Sequence, residues 1–322
     1  MLHRKSFLKI GKRLDREPVD QHTEGWDLRK GEHMRTTLRA VLDKAEHRRV
    51  AVGHFNISDL VAMKAIGETA RELNLPVLVG LSEGERDFVG VRQAVALVHS
   101  FRDHDNFPMF LNADHTHSLA KAIDAAKAGF DAISFDGSQL PFDENVTQTK
   151  HAVEAIKAIN PSIIVEGEIG DIGSGSEIHE TIPEMSKILT TPEQAKQFVD
   201  ATGIDVLAPA VGNMHGLLPG MIRGEMKKRL HVQRILDIKK ATGIFMTLHG
   251  GSGTDDEDFK SAVKAGITIV HVSTEMRLAW RQGLEAALAK APHELVPYKI
   301  LRETLGAVKK VVRARLQLFN QA

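Results

Sequence analysis

Eight short apolar runs alternating with helical patterns constrain this chain more than any other feature. The runs are Val50-Ala-Val-Gly-His-Phe-Asn56, Val77–Leu81, Met109–Ala113, Ala132–Phe135, Ile163–Ile169, Asp205–Ala208, Phe245–Leu248 and Thr268–Val272. Helical patterns follow them in turn. The first is a stretch capped by Ser58 and ending at Leu73; the others fall at about 86–101, 117–128, 144–159, 192–201, 232–241, 255–265 and 274–289. Strands this apolar need cover on the outside, and a helix after each strand supplies it in a parallel sheet. Eight such units favour a closed α/β architecture, a (β/α)8 TIM barrel, over an open doubly wound sheet. The glycine-rich fingerprint of a dinucleotide-binding fold is missing after the first run.

Three of the runs stop at polar residues that can carry chemistry. Met109-Phe-Leu-Asn-Ala ends on Asp114 and His115, Val206-Leu-Ala-Pro leads to His215-Gly216, and Ile244-Phe-Met-Thr-Leu ends on His249-Gly250. An α/β barrel keeps its chemistry at the C-terminal ends of its strands. Three imidazoles from three strand ends can meet on one ion and leave a fourth position open for substrate. The chain has no Cys and 16 His, so a bound metal must use His, Asp or Glu. A single histidine is more often a satisfied structural one; three in this placement point to a metal.

The neighbouring residues fit that reading. His117 makes a His-x-His with His115, which a strand would turn to one face. A helix starts at Ser118, however, which favours a supporting or surface role for His117. Asp114 either caps the next helix or acts as a general acid or base beside a metal-bound substrate. Glu166 and Glu168 share one face of a strand, and burying both is costly unless a cation compensates. Gly250-Gly251-Ser252-Gly253 after the seventh run and Ser273-Thr274 after the eighth stand where many barrels build a phosphate site.

Composition excludes several classes of partner. Lys plus Arg and Asp plus Glu are equal at 42 each, so no net field steers nucleic acid or an anionic membrane, and anion recognition must be local. No apolar run approaches the roughly 18 residues of a membrane span, and the polar N-terminus lacks the apolar region of a signal peptide. A cytoplasmic location is expected. Residues 1–34 read as an N-terminal extension in which Phe7, Leu8, Ile10 and Leu14 can form a short amphipathic helix; residues 35–322 read as one barrel domain. The long connections Gly170 to Thr191 and Leu217 to Leu230 have the character of lids. A C-terminal helix from Tyr298 to Phe319 carries a stripe at Leu301, Leu305, Val308, Val312, Leu316 and Phe319, which suits packing on the barrel bottom or against another subunit.

At these residues the chain resembles the metal-dependent class II ketose-bisphosphate aldolases, which include the fructose-bisphosphate and tagatose-bisphosphate enzymes. The resemblance runs in order through Phe55-Asn56-Ile57, Ala113-Asp114-His115, Phe135-Asp136-Gly137-Ser138, Glu166-Gly-Glu168-Ile-Gly170, Val211-Gly-Asn-Met-His215-Gly216, Leu248-His249-Gly250-Gly251-Ser252 and Val272-Ser273-Thr274-Glu275. It implies zinc-dependent, reversible cleavage of a phosphorylated ketose to dihydroxyacetone phosphate and an aldehyde. It further implies Zn2+ on His115, His215 and His249, proton exchange with the cleaved hydroxyl at Asp114, and a second metal position at Asp136 and Glu168. A loop glutamate, Glu177 with Glu180 in reserve, would move the carbon-bound proton. Gly216, Gly250, Ser252, Ser273 and Thr274 would hold the dihydroxyacetone phosphate end. Asn56, Ser82, Gly251 and His271 complete the substrate set, with Arg277 reaching the far phosphate. A monovalent cation and a homodimer or homotetramer belong to the same expectation.

The chain departs from the family pattern in four places. Asn112 replaces a His, His271 replaces a substrate-contacting Asn, Ser273 replaces an acid, and the loop glutamate sits about one residue late. His271 and the shifted glutamate also motivate an alternative, a barrel that binds sugar phosphate without turnover. A metal-dependent hydrolase is the other alternative, suggested by His115-Thr-His117. It would want that pair on the first strand and an Asp closing the eighth, and neither is present.

Overall fold

All eight apolar runs form strands that pair in parallel and close on themselves. In a computed structural model, which describes residues 36–103, 106–170, 172–173, 178–179 and 189–321, the strands are β1 (Val52–Asn56), β2 (Val77–Leu81), β3 (Met109–Thr116), β4 (Ala132–Phe135), β5 (Ile164–Ile169), β6 (Val206–Pro209), β7 (Phe245–Leu248) and β8 (Ile267–Val272). Each pairs with the next in sequence, and β8 returns to β1. The expected extension over 1–34, and Glu177 and Glu180, lie outside the described residues.

Among the described residues, ten helices complete the barrel wall and its fittings up to β8. They are α1 (Leu38–Arg48), α2 (Leu60–Leu73), α3 (Glu83–Val89), α4 (Val91–Asp103), α5 (Leu119–Ala128), α6 (Phe142–Ile159), α7 (Pro192–Thr202), α8 (Pro219–Ile222), α9 (Val232–Thr242) and α10 (Asp256–Ala265); α11 (Thr274–Lys290) and α12 (Pro297–Phe319) follow β8. The start of α2 is set by Asp59, not Ser58: the Asp59 carboxylate accepts from the Ala62 N–H at 2.8 Å and from the Trp280 indole at 2.7 Å. The helix expected over 86–101 is two helices, because Gly90 adopts φ 90° between them and ends α3 in a conformation that favours glycine. No helix among the described residues is long and apolar enough to cross a membrane.

The C-terminal helix does not close the barrel bottom. Its stripe of Val308, Val312, Leu316 and Phe319 is buried, and α12 packs against α11, α2, α10 and β1. It therefore fills the outer position between α10 and α2. The N-terminal end of the strands is met instead by α1, which buries Leu38, Val41, Leu42 and Ala45. Ion pairs from Arg39 to Asp205 and from Glu46 to Lys239 tie α1 to segments that enter β6 and β7. The segment 217–230 is held at both ends, with residues 222–227 between them exposed. Leu217, Leu218, Lys228 and Leu230 are all buried, and residue 228 bridges to residue 254.

The strands alternate as period-two elements do. Phe55, Leu111, Val165 and Leu248 join the apolar core, while His54, Asn56, Asn112, Asp114, Ser134, Glu166, Glu168 and Thr247, also buried, are polar. The barrel interior is thus hydrogen-bonded near its C-terminal mouth. Asn112 links His54 at 3.1 Å to Ser134 at 3.0 Å.

One irregularity in this lattice matters most. Ala113 pairs with Ile133 and Thr116 with Phe135, so β3 spends three steps where β4 spends two. The extra residue is a β-bulge, and His115 takes φ 40° within it. Consecutive residues of a regular strand face opposite sides. Here the bulge turns both Asp114 and His115 into the barrel mouth.

Candidate metal centre and substrate pocket

The three strand-end histidines meet. One nitrogen from each of His115, His215 and His249 lies within 4.8 Å of the other two. The rings approach from different directions, with interplanar angles of 68° for His115 and His215, 75° for His115 and His249, and 79° for His215 and His249. His115 Nε2 and His249 Nδ1 face each other at 3.2 Å. Tetrahedral zinc with Zn–N near 2.0–2.1 Å places two ligand nitrogens about 3.3 Å apart. The outer nitrogens are already engaged, His115 Nδ1 with Asp136 at 2.8 Å and His249 Nε2 with Glu166 at 2.7 Å. Such carboxylate partners orient ligating imidazoles. His215 Nε2 is buried without a hydrogen-bond partner. Two facing nitrogens with a third imidazole within ligand spacing, itself carrying an orphaned nitrogen, form a donor set that fits a divalent cation.

The electrostatics agree. Burial would push the His115 imidazolium down, but Asp114, Asp136 and Glu168 raise it to about 10. The surroundings therefore call for positive charge at this point. Burial, reinforced by His115, holds His249 down at about 4 and His215 well below the usual imidazole range, which keeps both rings neutral, the form in which an imidazole binds a metal. Burial also raises Glu166 to about 7 and Glu168 well above a normal carboxyl. Glu168 lies 3.7 Å from His115 Nδ1, and His115, Asp136 and Glu168 form a second group with ligand spacing. His117 stays out of both groups: 56% of its side chain is exposed, and its ring meets the Asp136 carbonyl.

Asp114 is held by a different set of partners. Asn56 Nδ2 donates to Asp114 Oδ2 and to Glu85 Oε2, both at 2.9 Å. The other oxygen, Oδ1, lies 3.4 Å from His271 Nδ1. Burial would raise the Asp114 carboxyl, but His115 and His271 hold it well below the usual range. His271 is itself stacked between His54 at 3.5 Å and His249 at 3.9 Å.

Arg86, a residue that sequence reasoning passed over, anchors the end of this strand. It is 2% exposed and donates to the Leu81 carbonyl at 2.7 Å, the Asp114 carbonyl at 3.1 Å and Thr116 Oγ1 at 3.1 Å. It thus ties the end of β2 to both sides of the bulge. Arg86→Met should cost about 3 kcal/mol of stability, because buried acceptors lose a charged donor. Denaturant midpoints measure this, and an unshifted midpoint would remove Arg86 from the anchoring role. A charged residue inside a helical pattern carries no signal that it will be buried. Glu85 was equally silent, and it accepts from Asn56, Ser82 and Arg277.

The residues expected to hold a phosphate line the same pocket, which is formed by Asn56, Asp114, the three histidines, Gly250, Ser252, His271, Ser273 and Thr274. Ser273 Oγ is buried without a partner at the N-terminus of the 17-residue helix α11, where anions are favoured. Ser252 Oγ accepts from the Glu275 N–H at 3.2 Å. A Cβ on Gly250 would fall 2.3 Å from the Met214 carbonyl, so only glycine lets the His249 and His215 loops pack this closely. Asn213 joins the same two loops by donating to the His249 carbonyl at 3.1 Å.

Other expected contacts fall outside this pocket. The Gly251 N–H is taken by the His271 carbonyl at 3.1 Å, Gly216 turns its carbonyl to Lys228, and Ser82 is engaged with Glu85. Arg277 lines an adjoining cavity with Asn56, Ser58, Glu85 and Trp280.

Comparison with known proteins bears on this site. The family description "Fructose-bisphosphate aldolase class-II" matches residues 36–322. The chain is 33% identical over 311 residues to a fructose-bisphosphate aldolase of Thermus caldophilus, covering 89% of this chain and 98% of that one. It is 31% identical over 289 residues to a probable fructose-bisphosphate aldolase of Bacillus subtilis strain 168, with the same shares covered. Among solved structures, the YdjI aldolase from Escherichia coli K12 superposes with a TM-score of 0.74 at 26% identity, covering 89% of this chain and 97% of that one.

Proposed function

Because the chain belongs to the class II fructose-bisphosphate aldolase family, whose members are lyases acting on ketose bisphosphates, we propose that it uses zinc to cleave fructose 1,6-bisphosphate or its epimer tagatose 1,6-bisphosphate reversibly. The products are dihydroxyacetone phosphate and an aldehyde. The observation that carries the zinc reading is the 3.2 Å approach of His115 Nε2 to His249 Nδ1 with a nitrogen of His215 within 4.8 Å of both rings' ligand atoms. Bound by these three histidines, zinc would polarise the substrate ketone and stabilise the negative charge that forms on its oxygen.

The chain's own groups do the rest. Asp114, ionised and aimed into the pocket, takes the proton from the hydroxyl on the carbon that becomes the aldehyde. The carbon–carbon bond breaks, and its electron pair passes to the dihydroxyacetone phosphate half as an enediolate. A proton returned to carbon, assigned to Glu177, completes that product. Gly250, Ser252, Ser273 and Thr274 hold its phosphate at the start of α11, with Gly216 completing the loop. Asn56 holds Asp114 to one orientation, His271 faces the same carboxylate, and Arg277 stands one cavity away for the far phosphate. Asp136 and Glu168 orient His115 and offer the second metal position.

The test is enzyme-coupled detection of triose phosphate from ketose bisphosphates epimeric at the cleaved hydroxyl carbon. Chelation should abolish release, and stoichiometric zinc should restore it. Release that persists in chelator would end the zinc reading. Tight binding without release would favour the non-catalytic barrel that His271 motivates.

A further inference from the structure

Lys228 is 4% exposed and belongs to neither proton transfer nor metal binding. Its ammonium sits among three main-chain carbonyls, donating to Met214 at 2.6 Å, Gly216 at 2.7 Å and Gly250 at 3.1 Å. Two of these carbonyls flank His215 and the third follows His249. The backbone of Lys228 is fixed as well: its N–H donates to the Gly253 carbonyl at 2.9 Å, and its carbonyl accepts from the Asp255 N–H at 3.2 Å. One residue therefore joins the loop carrying one metal ligand to the loop carrying another, and both to the phosphate-binding turn.

Three acceptors converging on one nitrogen need three N–H donors, which only the charged amine supplies. Convergent carbonyl oxygens are also how proteins coordinate bare monovalent cations. We propose that the Met214, Gly216 and Gly250 carbonyls form a monovalent-cation site occupied by the Lys228 ammonium. Lys228 is then a positioning residue that replaces a dissociable ion and keeps the two ligand-bearing loops in register; burial pulls its ammonium down to about 7 against the opposing pull of Glu275, and the three carbonyls are the acceptors that its charged form satisfies. On this proposal the monovalent cation expected from the family resemblance is supplied by the chain itself. The phosphate part rests on the aldolase reading, and the carbonyl site does not.

Removing the side chain in Lys228→Ala leaves a site for potassium or ammonium to fill. Thermal unfolding and inorganic phosphate binding by calorimetry are compared in choline, potassium and ammonium chloride at equal ionic strength, for the wild type and the variant. The wild type is expected to behave alike in all three salts. The variant is expected to melt lower and bind phosphate about tenfold more weakly in choline, and to recover both saturably in potassium or ammonium. A variant indifferent to cation identity overturns the proposal, as does a wild type with a saturable potassium requirement. If Lys228→Ala does not fold, the wild type still decides through its Nζ-labelled lysine NMR spectrum. One ammonium with protons protected from exchange is expected, and its absence overturns the proposal. None of these readouts needs turnover, so failure to cleave ketoses would be a separate result.

Discussion

Replacing His249 by Ala is expected to strip the protein of tightly bound zinc and abolish triose phosphate release. The side chain is 1% exposed, and both ring nitrogens are committed: Nδ1 faces His115 Nε2 at 3.2 Å and Nε2 holds Glu166 at 2.7 Å. Alanine leaves two imidazoles where a catalytic zinc site uses three protein ligands, and it deprives a buried carboxylate of its partner. Residues that merely support a ligand are worth about 10–100-fold in metal affinity, so loss of the ligand itself should exceed 100-fold. Metal analysis and competition against a chromophoric chelator measure this. Glu166→Gln provides the contrast, because it should weaken zinc within the supporting range. A His249→Ala protein that keeps one zinc per chain would show that the three nitrogens are not a ligand set.

The second large effect is expected from Asp114→Asn, with zinc left in place. Asparagine keeps the shape and can still accept from Asn56, which holds Oδ2 at 2.9 Å, so folding and metal content should be preserved. What is lost is the base. General acid–base groups typically contribute about 10²–10⁴-fold, and kcat should fall in that range. Proton exchange at the carbon of dihydroxyacetone phosphate should change far less, because another group is assigned to it. Since His115 and His271 keep the Asp114 carboxyl well below the usual range, the wild-type base stays ionised on mild acidification. A variant with kcat within a few-fold of wild type would move the hydroxyl proton to another residue.

The departures from the family pattern also acquire a physical setting. Asn112, standing where a histidine was expected, bonds His54 and Ser134. His271, standing for an asparagine, stacks on that same His54 and on His249. The imidazoles are thus redistributed around the mouth, and the candidate metal ligands keep their places.

Much of this was legible in the linear chain because the signals are local. Apolar runs marked β2, β4 and β7 at their observed limits, and a strand end followed by His marks a barrel mouth wherever the barrel closes. Closure and register decided the rest. Asp114 and His115 share the pocket only because β3 holds one residue more than β4 beside it, a mismatch between neighbours that neither strand encodes alone. Arg86, Glu85 and Lys228 carry no sequence signal of burial; packing removed water from around them and gave them acceptors or donors from distant segments. Which helix seals the bottom depended on where α1 and α12 found uncovered apolar wall. Periodicity and residue type determined the units and their chemistry; burial and cross-strand register, which depend on the whole chain at once, determined which residues meet.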